Sequence, residues 1–264
     1  VVFTYFTDAT ALSNALVTKQ IDIITSVQSP DQLSQFTDNA DYVVSDGDST
    51  TKELLAQRPG RPFDQALVRK AVYSAIDTKK LLSSIWGDYG THRVDGPADG
   101  PLVRGPHAGE PVRPRARQAA ARRSGLRRRL HLHPRHPELR PHAVAEFLQS
   151  ELAKVGITVE INTISADEWY SKVFKERDFQ ATLQEHVNDR DVVWYGNPDF
   201  YWGYDNPEGP SGVGGRAGDD HEEQTAKLKL VNEQIAEDAA SVWLYLYPQI
   251  VVAASDVSGT ASTA

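Results

Sequence analysis

The chain has 264 residues, 40% hydrophobic and 24% charged, enough for one large domain or two small ones with a real core. No apolar run approaches the roughly 20 residues of a membrane helix. The absence of cysteine excludes disulfides, iron–sulfur clusters, thiolate zinc sites and cysteine nucleophiles. The net charge of −8 is unevenly spread: residues 104–140 hold 11 arginines and no lysine against only Glu110 and Glu138. The remainder is strongly acidic, which repels nucleic acid and anionic membranes.

Val1-Val2-Phe3-Thr4-Tyr5-Phe6 reads as a strand. With no methionine and no basic-then-apolar leader, the chain reads as lacking its natural N-terminus, any signal peptide or lipid anchor lying upstream. Leu12, Ala15 and Leu16 have helical spacing over 11–17, and 21–24 is a short strand. Residues 31–36 form one or two helical turns behind Ser29 and Pro30, and 41–45 another strand. Asp64 caps a long helix with Leu67, Val68, Ala71, Val72, Ala75 and Ile76 on one face. Leu81, Leu82, Ile85 and Trp86 follow it, and Gly87 and Gly90 close it.

Residues 102–140 read as an aberrant or disordered loop. Seven of the 15 prolines lie between Pro101 and Pro141, and no aromatic residue occurs between Tyr89 and Phe147. A nucleic-acid-binding arm usually mixes lysine with arginine and offers rings for base stacking. His131, His133 and His136 have a metal-like H-x-H-x-x-H spacing, but prolines and arginines surround them and no carboxylate second shell is nearby in sequence.

Beyond the loop, Val144, Phe147, Leu148, Leu152 and Val155 mark a helix over 143–155 that stops at Gly156. A strand follows at 157–164, then a helix capped by Ser165 through Trp169, Val173 and Phe174, and a strand at 179–184. Leu228, Val231 and Ile235 share one side of a helix over 221–238, and strands close the chain at 242–247 and 250–254. Strands alternating with helices imply α/β architecture.

No G-x-S-x-G elbow, Walker loop or H-E-x-x-H is present, and Gly212, Gly214 and Ala217 match a dinucleotide fingerprint only by accident, since turn residues precede them. The stretch 186–204 is richer, with His186, Trp194, Tyr195, Phe200, Tyr201, Trp202 and Tyr204 interrupted by two turn signals. Rings beside polar groups in such a segment suit a small-ligand cleft or an aromatic mini-core under a loop, and both readings stand. His186 is either a ligand contact or a satisfied core histidine, the latter favoured.

Five stretches in order resemble the solute-binding proteins of ABC importers, the peptide-type class called family 5. They are A-L-V-T-K-Q-I-D-I-I at 15–24, R-P-F-D-Q-A-L-V-R-K-A-V-Y-S-A-I-D at 61–77, A-V-A-E-F-L-Q-S-E-L-A-K-V-G-I-T-V-E-I at 143–161, the 186–204 stretch, and D-A-A-S-V-W-L-Y-L-Y-P-Q-I-V-V-A at 238–253. The basic loop departs from the family pattern. Back-translated and read one base later, 102–140 can give Y-D-P-E-R-A-R-L-L-L-A-E-A-G-Y-A-D-G-F, which is that pattern, and 209–221 behaves alike. We expect both stretches to be frame-shifted.

The resemblance implies a type II periplasmic-binding-protein-like α/β fold of two lobes, here mainly the second lobe with part of the first. Residues 1–55 would end lobe I and cross over, 56–240 would form lobe II, and 241–264 would return to lobe I. It implies an extracytoplasmic protein, at the cell surface or in the periplasm and lipid-anchored, that grips an oligopeptide or similar small solute without chemistry and delivers it to a membrane permease. It implies a monomer with no cofactor, metal or nucleic-acid partner. Ligand contacts fall on Asp189 and Asp191, both available to pair with a peptide's amino terminus, and on His186, Trp194, Tyr201, Trp202, Tyr204 and Tyr89. With most of lobe I absent, solute binding by this chain alone is expected to be weak or nil. The alternative from another class is a carbohydrate-active hydrolase using the aromatic cleft and a carboxylate pair.

Overall fold

The computed structural model describes residues 1–27, 30–60, 62–90, 129–134, 141–187, 191–206 and 221–259. Helix α1 (Ala9–Val17) begins where the Asp8 carboxylate accepts a hydrogen bond from the Ala11 amide at 2.7 Å. It buries Ala9, Ser13 and Leu16, one stripe at helical spacing. The short strand β1 (Ile23–Ile24), a 3-10 helix (Pro30–Gln35) and β2 (Tyr42–Ser45) follow. Residues 1–6 form no strand, and Val1, Val2, Phe3 and Tyr5 are exposed.

A ten-residue strand, β3 (Asp48–Gln57), comes next, where no element is expected from the sequence. The expected long helix is two helices, α2 (Ala66–Ala75) and α3 (Thr78–Trp86). Asp77 breaks it by accepting from the Lys80 amide at 3.0 Å, which starts a new helix, while α2 begins at Gln65 without a side-chain cap.

Within the stretch read as a loop, residues 129–134 form β4 (Arg129–Pro134). Leu130 and Leu132 are buried on one face and alternate with half-exposed His131 and His133, the period of a strand. The other residues of 102–140, and 209–220, lie outside the described residues. Helix α4 (Pro141–Ala153), strand β5 (Thr158–Ile161), a turn (Ala166–Glu168) widening into a π-helix (Trp169–Lys175), strand β6 (Ala181–His186) and a 3-10 helix (Asp191–Gly196) lead to helix α5 (His221–Glu237). Strands β7 (Ser241–Pro248) and β8 (Val251–Ala254) complete the described elements.

The strands form two sheets, one ordered β1-β8-β2 and the other β5-β4-β6-β3-β7. The first is antiparallel throughout. In the second, β4 pairs in parallel with both β5 and β6, α4 making the β4-to-β5 crossover, whereas β3 is antiparallel to β6 and β7. Both β2–β3 and β8–β7 pass from one sheet into the other as an antiparallel ribbon. Between its two halves, Gly47 and Gln249 exchange backbone hydrogen bonds of 3.1 and 2.8 Å.

Alternate residues of β3 enter different cores: Leu55 joins a large one with α2, α3 and α4, and Leu54 and Ala56 join an aromatic one. The period of two places these cores on opposite faces of the large sheet. A register shift between Glu53 and Leu54 leaves Leu244 as the extra residue on β7. Trp243 therefore faces the aromatic core while Tyr245 faces the large one.

Candidate functional site

The chemistry-bearing side chains gather at the end of β6. Lys52 and His186 are register partners on antiparallel β3 and β6, so their side chains leave the same face of the sheet. Asp191, the first residue of the 3-10 helix, lies between them and is fully buried. Its Oδ1 is 3.0 Å from His186 Nδ1, and its Oδ2 is 3.6 Å from Lys52 Nζ, an ion pair rather than a hydrogen bond. On the far side of the imidazole, Nε2 is 2.9 Å from the Tyr201 hydroxyl.

The carboxylate only accepts, so Nδ1 carries a proton. Burial pushes the Tyr201 hydroxyl well above its ordinary pKa, so it stays protonated beside Nε2. The ring is wedged as well. Trp202 stacks on it at 5.2 Å between centroids and Trp243 meets it edge-on at 6.1 Å.

Asp191 is buried and held by Lys52 and His186, and Asp189 lies outside the described residues. His186 is a core histidine with both ring nitrogens partnered. Tyr201, Trp202 and Tyr204 are buried, and Tyr195 stacks on Trp202 at 4.5 Å, so these rings build a mini-core. The Tyr204 hydroxyl donates to Asp238 at 2.5 Å, and burial raises its pKa. Trp194 is half-buried and stacks on Phe200 at 4.7 Å. Tyr89 packs against the large core, on the other face of the sheet from His186, and is not brought together with the rest. Val187, the residue after His186, is 65% exposed.

Of the three histidines with metal-like spacing, His131 Nδ1 pairs with Glu160 at 3.2 Å and His136 lies outside the described residues. Among the described residues no three His, Asp or Glu side chains converge as a metal group would require. Lys52 and Trp243 are the site residues that sequence reasoning missed. The signal for Lys52 was a charge pair abutting Leu54-Leu55-Ala56, which reads equally well as the polar start of a surface segment.

The model of the bacterial extracellular solute-binding proteins, family 5, matches residues 1–209, and the chain belongs to that family. Its α/β architecture is that of the type II binding-protein fold. The periplasmic binding protein DppA from Helicobacter pylori, solved with the peptide STSA, is similar over 98% of this chain and 53% of its own, with TM-score 0.78 and 18% identity. NikA from Brucella suis, solved with Fe(III)-EDTA, is similar over 97% and 57%, with TM-score 0.81 and 17% identity. The oligopeptide-binding protein AppA from Bacillus subtilis, solved with a nonapeptide, is similar over 96% and 56%, with TM-score 0.77 and 15% identity. These likenesses are of fold, and the chain spans little more than half the length of each. The search of curated proteins finds no match. No helix among the described residues is long and apolar enough to cross a membrane.

Proposed function

We propose that this chain belongs to the extracytoplasmic binding component of an ABC importer, which closes two lobes around an oligopeptide or similar small solute and hands it to a membrane permease unchanged. The family assignment supports the binding role, and the observation that carries the mechanics is the double ribbon β2–β3 and β7–β8. Two strands cross together between the sheets and meet at the Gly47–Gln249 pair. A rotation there reorients one sheet against the other while the ladders on either side stay intact, the requirement for hinge closure. Solute binding then favours the closed form through contacts with both sides.

In this reading residues 1–55 end lobe I and cross over, 56–240 form lobe II and 241–264 return, with β3 spanning the first boundary and β7 beginning at the second. Asp189 supplies the carboxylate for the peptide's ammonium, a charge-assisted contact. Asp191 does not, because Lys52 and His186 already hold it. The protein acts as a monomer.

Native mass spectrometry of the protein from its own host, followed by calorimetry with the peptides so identified, tests the proposal. A co-purifying oligopeptide that binds and is recovered intact is the expected result. Cleavage of the bound peptide, or a glycan as the co-purifying molecule, would overturn it.

A further inference from the structure

We propose that Asp46 is a site of spontaneous isoaspartate formation, placed where the ribbon crosses between the two sheets, and that opening of the Gly47–Gln249 pair sets its rate. This chemistry is independent of the binding function proposed above.

Asp46-Gly47 is the one Asp–Gly step among the described residues; Asp95-Gly96 and Asp99-Gly100 lie outside them. Both residues stand between β2, which ends at Ser45, and β3, which begins at Asp48. Asp46 is exposed, and its carboxyl makes no hydrogen bond or ion pair among the described residues. Gly47 carries no side chain to shield its amide nitrogen from the neighbouring carboxyl. That nitrogen attacks the Asp46 side-chain carbonyl carbon. A C–N bond forms, and the carboxyl hydroxyl leaves with the amide proton as water. The product is a five-membered succinimide. Water then adds to one of its two carbonyl carbons and breaks that carbon's bond to nitrogen. Opening at the side-chain carbonyl restores aspartate. Opening at the main-chain carbonyl leaves the chain running through the side chain, an isoaspartate of unchanged mass.

The ribbon holds this reaction back. The Gly47 amide donates to the Gln249 carbonyl at 3.1 Å, and the Gln249 amide returns a bond of 2.8 Å, so the nitrogen is engaged while the pair is closed. Gln249 is itself anchored, its side-chain Nε2 donating to the Thr25 carbonyl at 2.7 Å. Attack needs an opening of this short stretch alone and not of the ladders on either side. The crossing has no slack for the product. Ser45 pairs with Val251 and Asp48 with Pro248, so residues 46–47 and 249–250 span the same gap on the two strands. Isoaspartate adds one backbone carbon to one strand only, and the pair at 47 and 249 then loses register with its neighbours.

Incubation of the 264-residue chain at neutral pH, followed by peptide mapping with electron-transfer fragmentation, locates isoaspartate residue by residue. The expected result is isoaspartate at 46 in the folded chain, forming roughly tenfold slower than in the chain unfolded in guanidinium. Asp46→Glu, which would need a six-membered ring, should show none at that position. Gln249→Ala removes the Thr25 anchor and should bring the folded rate severalfold closer to the unfolded one. Should that variant not fold, the unaltered chain in graded, subdenaturing guanidinium decides: isomerisation should rise in step with hydrogen exchange of the Gly47 amide. No isoaspartate at 46 in the folded chain, while the unfolded chain isomerises, would overturn the site. A folded rate equal to the unfolded one, or one unmoved in folded Gln249→Ala or by faster exchange at Gly47, would overturn the gate.

Discussion

Tyr247 on β7 donates its hydroxyl to the buried carboxylate of Glu53 on β3, a contact between residues 194 apart in sequence. Glu53 follows Lys52, so two adjacent buried charges leave β3 on opposite faces and find partners in different cores. Replacing Tyr247 with Phe keeps the ring against Trp86 and removes one hydrogen bond to a buried carboxylate. A loss of about 1.5–3 kcal/mol is expected in urea denaturation.

The buried tyrosines make the fold sensitive to alkali. Burial is the first cause raising the pKa of Tyr195, Tyr201, Tyr204 and Tyr247. The folded state therefore holds these protons where the unfolded chain has lost them. Their contribution is fully present below the unfolded value of ~10 and drains as pH rises through the folded values. Thermal melts between neutral pH and strong alkali should fall above that point, with part of the tyrosinate absorbance appearing only on unfolding. A melting temperature flat through strong alkali would refute the sign.

The ion pair of Lys52 and Asp191 is almost fully dry, at 3% and 0% side-chain exposure. Removing the ammonium leaves the buried Asp191 carboxylate without its ion-pair partner, so Lys52→Met is expected to destabilise by about 3–5 kcal/mol. Combined with Asp191→Asn it should cost markedly less than the two single changes added together, because neither charge is left alone. A double-mutant cycle in denaturant measures that difference, and additivity would contradict the pairing.

Trp169 donates its indole N–H to Thr182 at 2.9 Å, and the Thr182 hydroxyl in turn donates to the His133 carbonyl of β4. Thr182→Val keeps the shape and removes both hydroxyl hydrogen bonds, and about 1–3 kcal/mol of stability should be lost. The Trp169 contribution to near-ultraviolet circular dichroism should change with it.

Strand β4 has its own test. Leu132 is buried between β5 and β6, so Leu132→Ala should destabilise by about 2–5 kcal/mol. Leu230→Ala, at a residue 62% exposed on α5, should stay within about 0.5 kcal/mol. Equal small effects at both positions would return 129–134 to a loop.

Sequence periodicity alone located α1, α4, α5, β5, β7 and β8 to within a few residues, because a helix stripe or a strand alternation is a local property of consecutive side chains. The ordered motifs at 15–24, 61–77 and 143–161 likewise carried the family, which the match over residues 1–209 shows. Tertiary structure decided what local pattern leaves open. Leu67 through Trp86 carries one apolar stripe, yet Asp77 starts a second helix there. Leu130 and Leu132 alternate inside a basic, proline-rich stretch, and only the parallel neighbours β5 and β6 make them a strand.

The roles of the polar residues were the least legible. Asp189 and Asp191 are equivalent in the sequence, and nothing local marks Lys52 for burial. Register alone brings Lys52 opposite His186 and both against Asp191. The partner of a buried charge is chosen by which distant strands align, and no window of consecutive residues contains that information.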